Sequence, residues 1–564
     1  MSRDLGLPVS DDRLTLAAYP SEIATRFGDR EALVFESTRL TYRQLETEVR
    51  RLAKSLLAAG VTKGTKVAVL VANRPEFVIA AFGTSMAGGV CVPVNTLATL
   101  EECRHVLRHS DSAVLVTQDR LRRHEYVTGL VARYPGLFEV QPGHLREPGF
   151  PFLRRVVVIG ETVGKAESWD EFLCAGDSIT DTLLGAAAAE VTPADDAMII
   201  YTSGTTTTPK AVLHTHRSVT VQMWRWGKQM ALGASDRVWT SQPFFWTAGF
   251  SMSLGGTLSS GSTLILQEVV EPGETLELIE RERITVIHAF EHTQAQLASH
   301  PDARTRDLRS LTRLSQNSPL HNIIGPGDGS WDTRSGYGLS ETFTIATALP
   351  ATAPAELRDS SHGLALPGME IRIVDPATGA PLPAGATGEI TVKGVTLMRG
   401  YYKLLPEEAL DDEGWFHTQD AGYLDEAGYL HWSGRISRLI KTAGANVSPV
   451  EVETRASELN MIGVCTVLGV PHPTLGEAVV LAGVPLQGIE FKAERLLAHL
   501  REHLASYKVP KRVLLFEDGQ LEFTSTDKVR IDGARQLVID RLVSSDDDLE
   551  WITFLRKDCA DRAR

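Results

Sequence analysis

At 564 residues the chain exceeds the roughly 250–300 residues at which one core stops growing, so two or more domains are expected. With 57 Lys and Arg against 71 Asp and Glu, the net charge of -14 argues against a nucleic-acid partner or an anionic membrane surface, so any phosphate site must be local. Five scattered cysteines without a C-x-x-C pair, an N-terminal MSRDLGLPVSDD without an apolar core, and no apolar run of ~20 residues predict a soluble cytoplasmic protein with free thiols and no transmembrane segment.

Strand-like apolar runs alternate with helix-length segments through the first half. KVAVLV (66–71) is followed by PEFVIAAFGTSMAGG, VCVPV (90–94), ECRHVLRHSDS and AVLVTQ, and the rhythm repeats at RRVVVIG, AMIIY, STLILQ and ITVIHAF. Parallel strands buried on both faces between crossover helices produce this pattern, so a doubly wound α/β core is expected. After about residue 360 the texture changes to short strands with Gly and Pro turns, as in GMEIRIVDPATGAPLPAGATGEITVKG, which predicts a small β subdomain. From about Gly434, IGVCTVLGVP and EAVVLAGVPL read as strands, and KAERLLAHLREHLASY sets Leu496, Leu497, Leu500 and Leu504 on one helical stripe. The expected division is an α/β N-terminal domain (1–434), a small mobile α+β C-terminal domain (435–545) and a peripheral tail (546–564).

The stretch YTSGTTTTPKAVLHTH (201–216) follows an apolar strand, so its loop should emerge beyond a strand's carboxyl end, where open α/β sheets bind ligands. Ser203 and Thr205 to Thr208 supply hydroxyl donors, Gly204 permits close backbone approach, and Lys210 supplies a point charge for phosphate oxygens. The loop is not a Walker P-loop, because Pro209 precedes the lysine and Ala211 follows it. Local pattern alone leaves a polyphosphate cradle and a solvated polar turn both open.

The loop resembles the signature phosphate loop of the adenylate-forming enzymes, the superfamily of acyl-CoA synthetases, peptide-synthetase adenylation domains and luciferase. Further motifs follow in the family's order: SGYGLSET (335–342), GEITVKGVTLMRGYYKLLPE (388–407), GWFHTQD (414–420), GRISRLIKTAGANVSPVEVE (434–453) and LEFTSTDKVR (521–530). The resemblance spans roughly residues 15–540, and acyl-CoA synthetases are the nearest type within it.

What the resemblance implies is carried position by position. Thr202, Ser203, Gly204, Thr205, Thr206 and Lys210 would hold the β- and γ-phosphates of ATP, and Glu341 with Thr205 would bind Mg2+, a hard cation suited to oxygen ligands. Tyr337 and Gly338 would flank the adenine, with Trp432 nearby, Ser340 would reach the α-phosphate, and Asp420 with Arg435 would hold the ribose. Lys528 would bridge the substrate carboxylate and the α-phosphate as charge builds in the transition state. Lys441 and Gly444 would serve the CoA side after rotation of the small domain about a hinge within Ile436–Arg438. Trp246, Gly249, His292, Gln316, Asn317 and Gly336 would line the acyl pocket, where a carboxylic acid, apolar or aromatic by family precedent, would sit. CoA is the expected thiol; the alternatives are an enzyme that loads a separate acyl-carrier protein or stops at the acyl-adenylate, and a non-catalytic nucleotide-binding homologue is the reading from another class.

Several family glycines are replaced, by Thr207, Ala211, Gln419 and Asp527, at an expected cost of about 1 kcal/mol wherever positive φ is required. The run HAFEH places His288, Glu291 and His292 in the H-x-x-E-H spacing of a zinc peptidase class. That chemistry needs both histidines on one helix, whereas ITVI immediately before them reads as a strand.

Overall fold

The computed structural model describes residues 5–121, 124–202, 209–325, 331–332, 335–438, 440–442, 445–504, 508–522, 529–544, 551 and 555. The chain forms two compact units: one of 1–371, 391–417 and 428–430, the other of 372–390, 418–427 and 431–564.

The first unit carries two large sheets. An eight-stranded sheet runs in the order Gly400–Tyr401, Lys210–Thr215, Asp196–Thr202, Val90–Pro93, Lys66–Leu70, Val114–Gln118, Arg155–Ile159, Glu167–Ser168. From Asp196–Thr202 to Glu167–Ser168 every neighbouring pair is parallel, whereas Lys210–Thr215 is antiparallel to both of its neighbours. The parallel strands are Val-rich and almost wholly buried, because crossover helices cover both faces. A five-stranded sheet follows the order Val286–His288, Arg237–Thr240, Thr263–Leu266, Glu31–Phe35, Thr38–Thr41, and only its last pair is antiparallel. The doubly wound α/β core expected from the apolar rhythm is therefore present. The unit also holds a three-stranded antiparallel sheet of Gly336–Tyr337, Thr347–Ala348 and Leu364–Ala365.

Four strands, Met369–Val374, Gly388–Gly394, Phe416–Leu424 and Leu430–Arg435, adjoin in that order as the expected β subdomain, and the division between the units falls within them. In the second unit Ile462–His472 and Gly476–Pro485 pair antiparallel from Ile462↔Pro485 to His472↔Gly476. Arg512–Leu515 adds to the latter strand in parallel. The helix Ala493–His503 buries Leu496 and Leu500 against this sheet's core, with Leu504 buried and Leu497 partly buried in the same cluster, as the leucine stripe implies. Among the described residues, the terminal segment that the sequence places at the periphery contributes two buried side chains. Trp551 and Leu555 pack with Leu468, Val470 and Phe516, and the Trp551 indole N–H donates to Pro471 O at 2.6 Å. No helix among the described residues is long and apolar enough to cross a membrane.

Candidate functional site

Lys210–Thr215 organises the site in the first unit. Side chains alternate across a strand, so Lys210, Val212 and His214 share one face while Ala211 and Leu213 take the other. The second face packs into the core beneath the eight-stranded sheet, where Ala211 is 3% exposed. Ala211 has ordinary strand backbone rather than positive φ, so the glycine cost expected there does not arise. Thr202 pairs with Lys210, so the two residues close the connection 203–209 beyond the carboxyl end of Asp196–Thr202. The connection leads into a strand and not, as in a Walker loop, directly into a helix. Ser203, Gly204, Thr205, Thr206 and Thr207 lie outside the described residues.

On the first face, Val212 pairs with Tyr401 across the strands. Lys210 Nζ lies 4.9 Å from the Tyr401 ring centroid, and the Tyr401 hydroxyl donates to Glu341 Oε1 at 2.8 Å. Lys210 and Glu341, matched separately to two motifs, are thus linked by a tyrosine. His214 completes the face: its Nε2–H donates to Ser340 O at 2.7 Å, and burial pushes its pKa down to about 4, so the imidazole is neutral at neutral pH. The other histidine of the stretch does different work. His216 is buried, accepts from Leu16 N at 3.2 Å through Nδ1 and ties the helix His216–Gln229 to the N-terminal region.

The segment 336–345 is a tight reversal. Tyr337 pairs with Thr347, the turn Ser340–Thr342 follows, and Phe343 and Thr344 both take positive φ, at 48° and 102°. Such backbone persists only where the surroundings over-determine it. Here the buried Gln222 amide donates to Thr342 O at 3.1 Å and to Ile345 O, Ser251 Oγ meets Thr344 Oγ1 at 2.8 Å, and Met398 N donates to Glu341 O at 2.7 Å. Gly338 lies in the crease, where a Cβ would sit 2.0 Å from Thr344 O. Gly336 precedes it in the strand, partly exposed.

Ser251 belongs to a π-helical turn, Gly249–Gly255, whose first residue also has to be glycine because a Cβ there would lie 2.0 Å from Pro243 O. Immediately before it Trp246, partly exposed, meets Phe245 edge-on at 5.3 Å and Phe290 at 6.0 Å, and His292 stacks on Phe290 at 5.6 Å. An aromatic wall thus adjoins the turn that holds Thr344. Gln316 and Asn317 have exposed side chains, and Gln316 N donates to Asp332 Oδ2 at 3.1 Å. His288 ends the strand Val286–His288, buried with Nδ1 2.7 Å from Ser253 Oγ, whereas Glu291 and His292 open the next helix, so the two histidines do not share a helix.

In the second unit Asp420 is buried within Phe416–Leu424, and Arg435 Nε lies 3.0 Å from its Oδ1. Arg435 also donates to Thr418 O at 2.8 Å, which fixes the guanidinium beside the carboxylate. Trp432 is partly exposed in the strand Leu430–Arg435. Lys441 lies in Ile440–Thr442 and pairs with Asn446, while Gly444, Asp527 and Lys528 lie outside the described residues. Gln419, where the family has glycine, takes φ +62°, held by its N–H donating to Glu389 Oε1 at 3.0 Å. Its side chain is exposed, so Gln419→Gly relieves left-handed strain at the cost of some unfolded-state entropy, for a net gain of about 0.5–1 kcal/mol. Chemical denaturation should show this gain; a loss of stability would mean that the glutamine side chain contributes more than the backbone strain.

Tyr401, His214, Gln222 and Ser251 were not singled out from sequence. Tyr401 stands inside GEITVKGVTLMRGYYKLLPE and His214 inside YTSGTTTTPKAVLHTH, but their partners are 60 and 126 residues away in the chain.

Comparison with known proteins gives this geometry a family. The AMP-binding enzyme model matches residues 21–402, and the AMP-binding enzyme C-terminal domain model matches 451–528. The chain is 32% identical to a feruloyl-CoA synthase of Amycolatopsis sp over 88% of this chain and 94% of the relative. It is 31% identical to the indoleacetate–CoA ligase of Aromatoleum aromaticum over 92% and 96%. Among solved structures, an anthranilate CoA ligase in complex with anthranoyl-AMP shares the fold, with a TM-score of 0.76 and 23% identity over 94% of this chain and 97% of that one. The chain belongs to the AMP-binding enzyme family.

Proposed function

We propose that this protein is an AMP-forming acid–thiol ligase. The reaction runs in two steps: a carboxylate oxygen attacks the α-phosphorus of ATP and pyrophosphate leaves, then the CoA sulfur attacks the acyl carbon and AMP leaves. The observation that carries the reading is the joined set Lys210, Tyr401 and Glu341 where the connection 203–209 closes, in a chain of this family. A cation for phosphate oxygens and a carboxylate for the accompanying metal are what two anions need in order to react.

In this reading Lys210 and Thr202, with Ser203, Gly204, Thr205 and Thr206, bind the triphosphate, and Glu341 with Thr205 would hold Mg2+, whose positive charge would ease adenylyl transfer. Glu341 fits that role because its backbone and one carboxylate oxygen are each anchored. Tyr337, Gly338, Ser340 and Trp432 take the adenosine and α-phosphate, Asp420 and Arg435 the ribose, and Lys528 the developing charge. Residues 1–434 act as the nucleotide domain, and 435–545 move to bring Lys441 and Gly444 to the CoA step. The aromatic wall of Trp246 and Phe290, beside the close-packed backbone of Gly249 and Gly336, favours a bulky apolar or aromatic acid, and exposed His292, Gln316 and Asn317 would meet its polar substituents.

Pyrophosphate release across a panel of aryl, arylacetic, cinnamic and aliphatic acids tests this reading, with CoA and a phosphopantetheinylated carrier compared as acceptors. Acid-dependent release with thioester formation on CoA is expected. ATP binding without release for any acid would leave a non-catalytic nucleotide-binding protein, and transfer only to the carrier would move the acceptor.

A further inference from the structure

Glu341 is held in two separable ways. Its main chain is fixed by Met398 N donating to Glu341 O at 2.7 Å and by His214 donating to the preceding carbonyl, of Ser340, at 2.7 Å. Its carboxylate is fixed by the Tyr401 hydroxyl at 2.8 Å from Oε1. An ionised carboxylate only accepts, and committing one oxygen to a neutral donor sets the rotation of the whole group. Oε2 has no hydrogen-bond partner among the described residues and is the oxygen left for a cation.

Tyr401 is itself rigid. It is 8% exposed, its backbone pairs with Val212, and its ring packs with Val212, Met398 and Phe416. The same ring underlies Lys210 at 4.9 Å. The next tyrosine points elsewhere: the Tyr402 hydroxyl donates to Asp111 Oδ2 at 2.9 Å.

We propose that Tyr401 is a positioning residue for the activation step, its hydroxyl orienting the Glu341 carboxylate toward the Mg2+ that accompanies ATP and its ring supporting Lys210. This rests on the ligase reading for the identity of the metal–nucleotide pair. Groups that orient metal ligands are typically worth about ten- to a hundredfold in metal affinity.

The test uses the full chain with Mn2+ in place of Mg2+, its binding to the ATP-loaded protein followed by electron paramagnetic resonance. Tyr401→Phe should weaken Mn2+ binding about tenfold and raise the Mg2+ concentration that half-saturates pyrophosphate release by a similar factor. Because the ring remains, the KM for ATP at saturating Mg2+ should change less than about twofold. Tyr401→Leu, which also removes the ring, should raise that KM about fivefold, and Tyr402→Phe should alter none of these quantities. In a Glu341→Gln background the Tyr401→Phe effect on Mn2+ should vanish. An unchanged Mn2+ affinity in Tyr401→Phe, its full effect persisting in the Glu341→Gln background, or no Mn2+ binding by the unaltered ATP-loaded protein would each overturn the proposal. Absence of acid-dependent pyrophosphate release from the unaltered chain would instead overturn the ligase reading, and the Mn2+ measurement would still decide Tyr401.

Discussion

Glu341→Gln is expected to lower acid-dependent pyrophosphate release by at least about a hundredfold while leaving the thermal midpoint nearly unchanged. The substitution keeps the shape of the side chain. Glutamine still presents an oxygen to the Tyr401 hydroxyl, and the backbone bonds from Met398 and to Ser340 do not involve the side chain. What disappears is the negative charge, so the loss should fall on the chemistry and on the metal requirement rather than on the fold. Stopped-time pyrophosphate assays at several Mg2+ concentrations, beside a melting curve, separate the two. A rate within about threefold of the unaltered protein would remove Glu341 from the proposed machinery.

Gly338→Ala is the second large effect, and it acts through the backbone. The added methyl would lie 2.0 Å from Thr344 O and 2.4 Å from Ile345 Cα, both main-chain atoms of the strained reversal. No rotamer relieves such a contact, so the hairpin must open, at a loss of about 3 kcal/mol or more. Because Ser340 and Glu341 sit inside that hairpin, activity should fall with stability. Gly185→Ala is the matched control: a Cβ there meets nothing within 4 Å in the exposed helix Asp181–Ala189, and the helix should gain about 0.5–1 kcal/mol. Equal melting temperatures for Gly338→Ala and the unaltered chain would show that the reversal adapts.

Much of the fold was legible because it is repetitive. The runs KVAVL, VLVTQ and RVVVI are each a Val-rich strand buried on both faces, and the leucine stripe around Leu500 could face only one way. The order of motifs likewise placed the chain in its family before any geometry was known. What stayed hidden were contacts between residues far apart in sequence and adjacent across a sheet. Tyr401 reaches Glu341 only because Gly400–Tyr401 pairs with Lys210–Thr215, an edge pairing of two residues that no local pattern announces. The missing glycines show the same limit. Gln419 does carry the positive φ that its motif implies, yet Ala211 sits in a plain strand, so the same kind of departure is strained at one position and harmless at the other. The spacing of HAFEH failed as a zinc motif because the strand ends at His288 before the helix begins at Glu291.

The pairing of Lys210–Thr215 also bears on how this protein can diverge. Lys210 and His214 serve the site from the same face of one strand, four residues and about 13 Å apart. Inserting or deleting a single residue between them would turn one of the two to the opposite face, toward Ala211 and the core. Descendants of this gene can therefore drift in side chains along the strand but not in its length, and among homologues an alignment gap between Lys210 and His214 should mark a protein that has changed its chemistry.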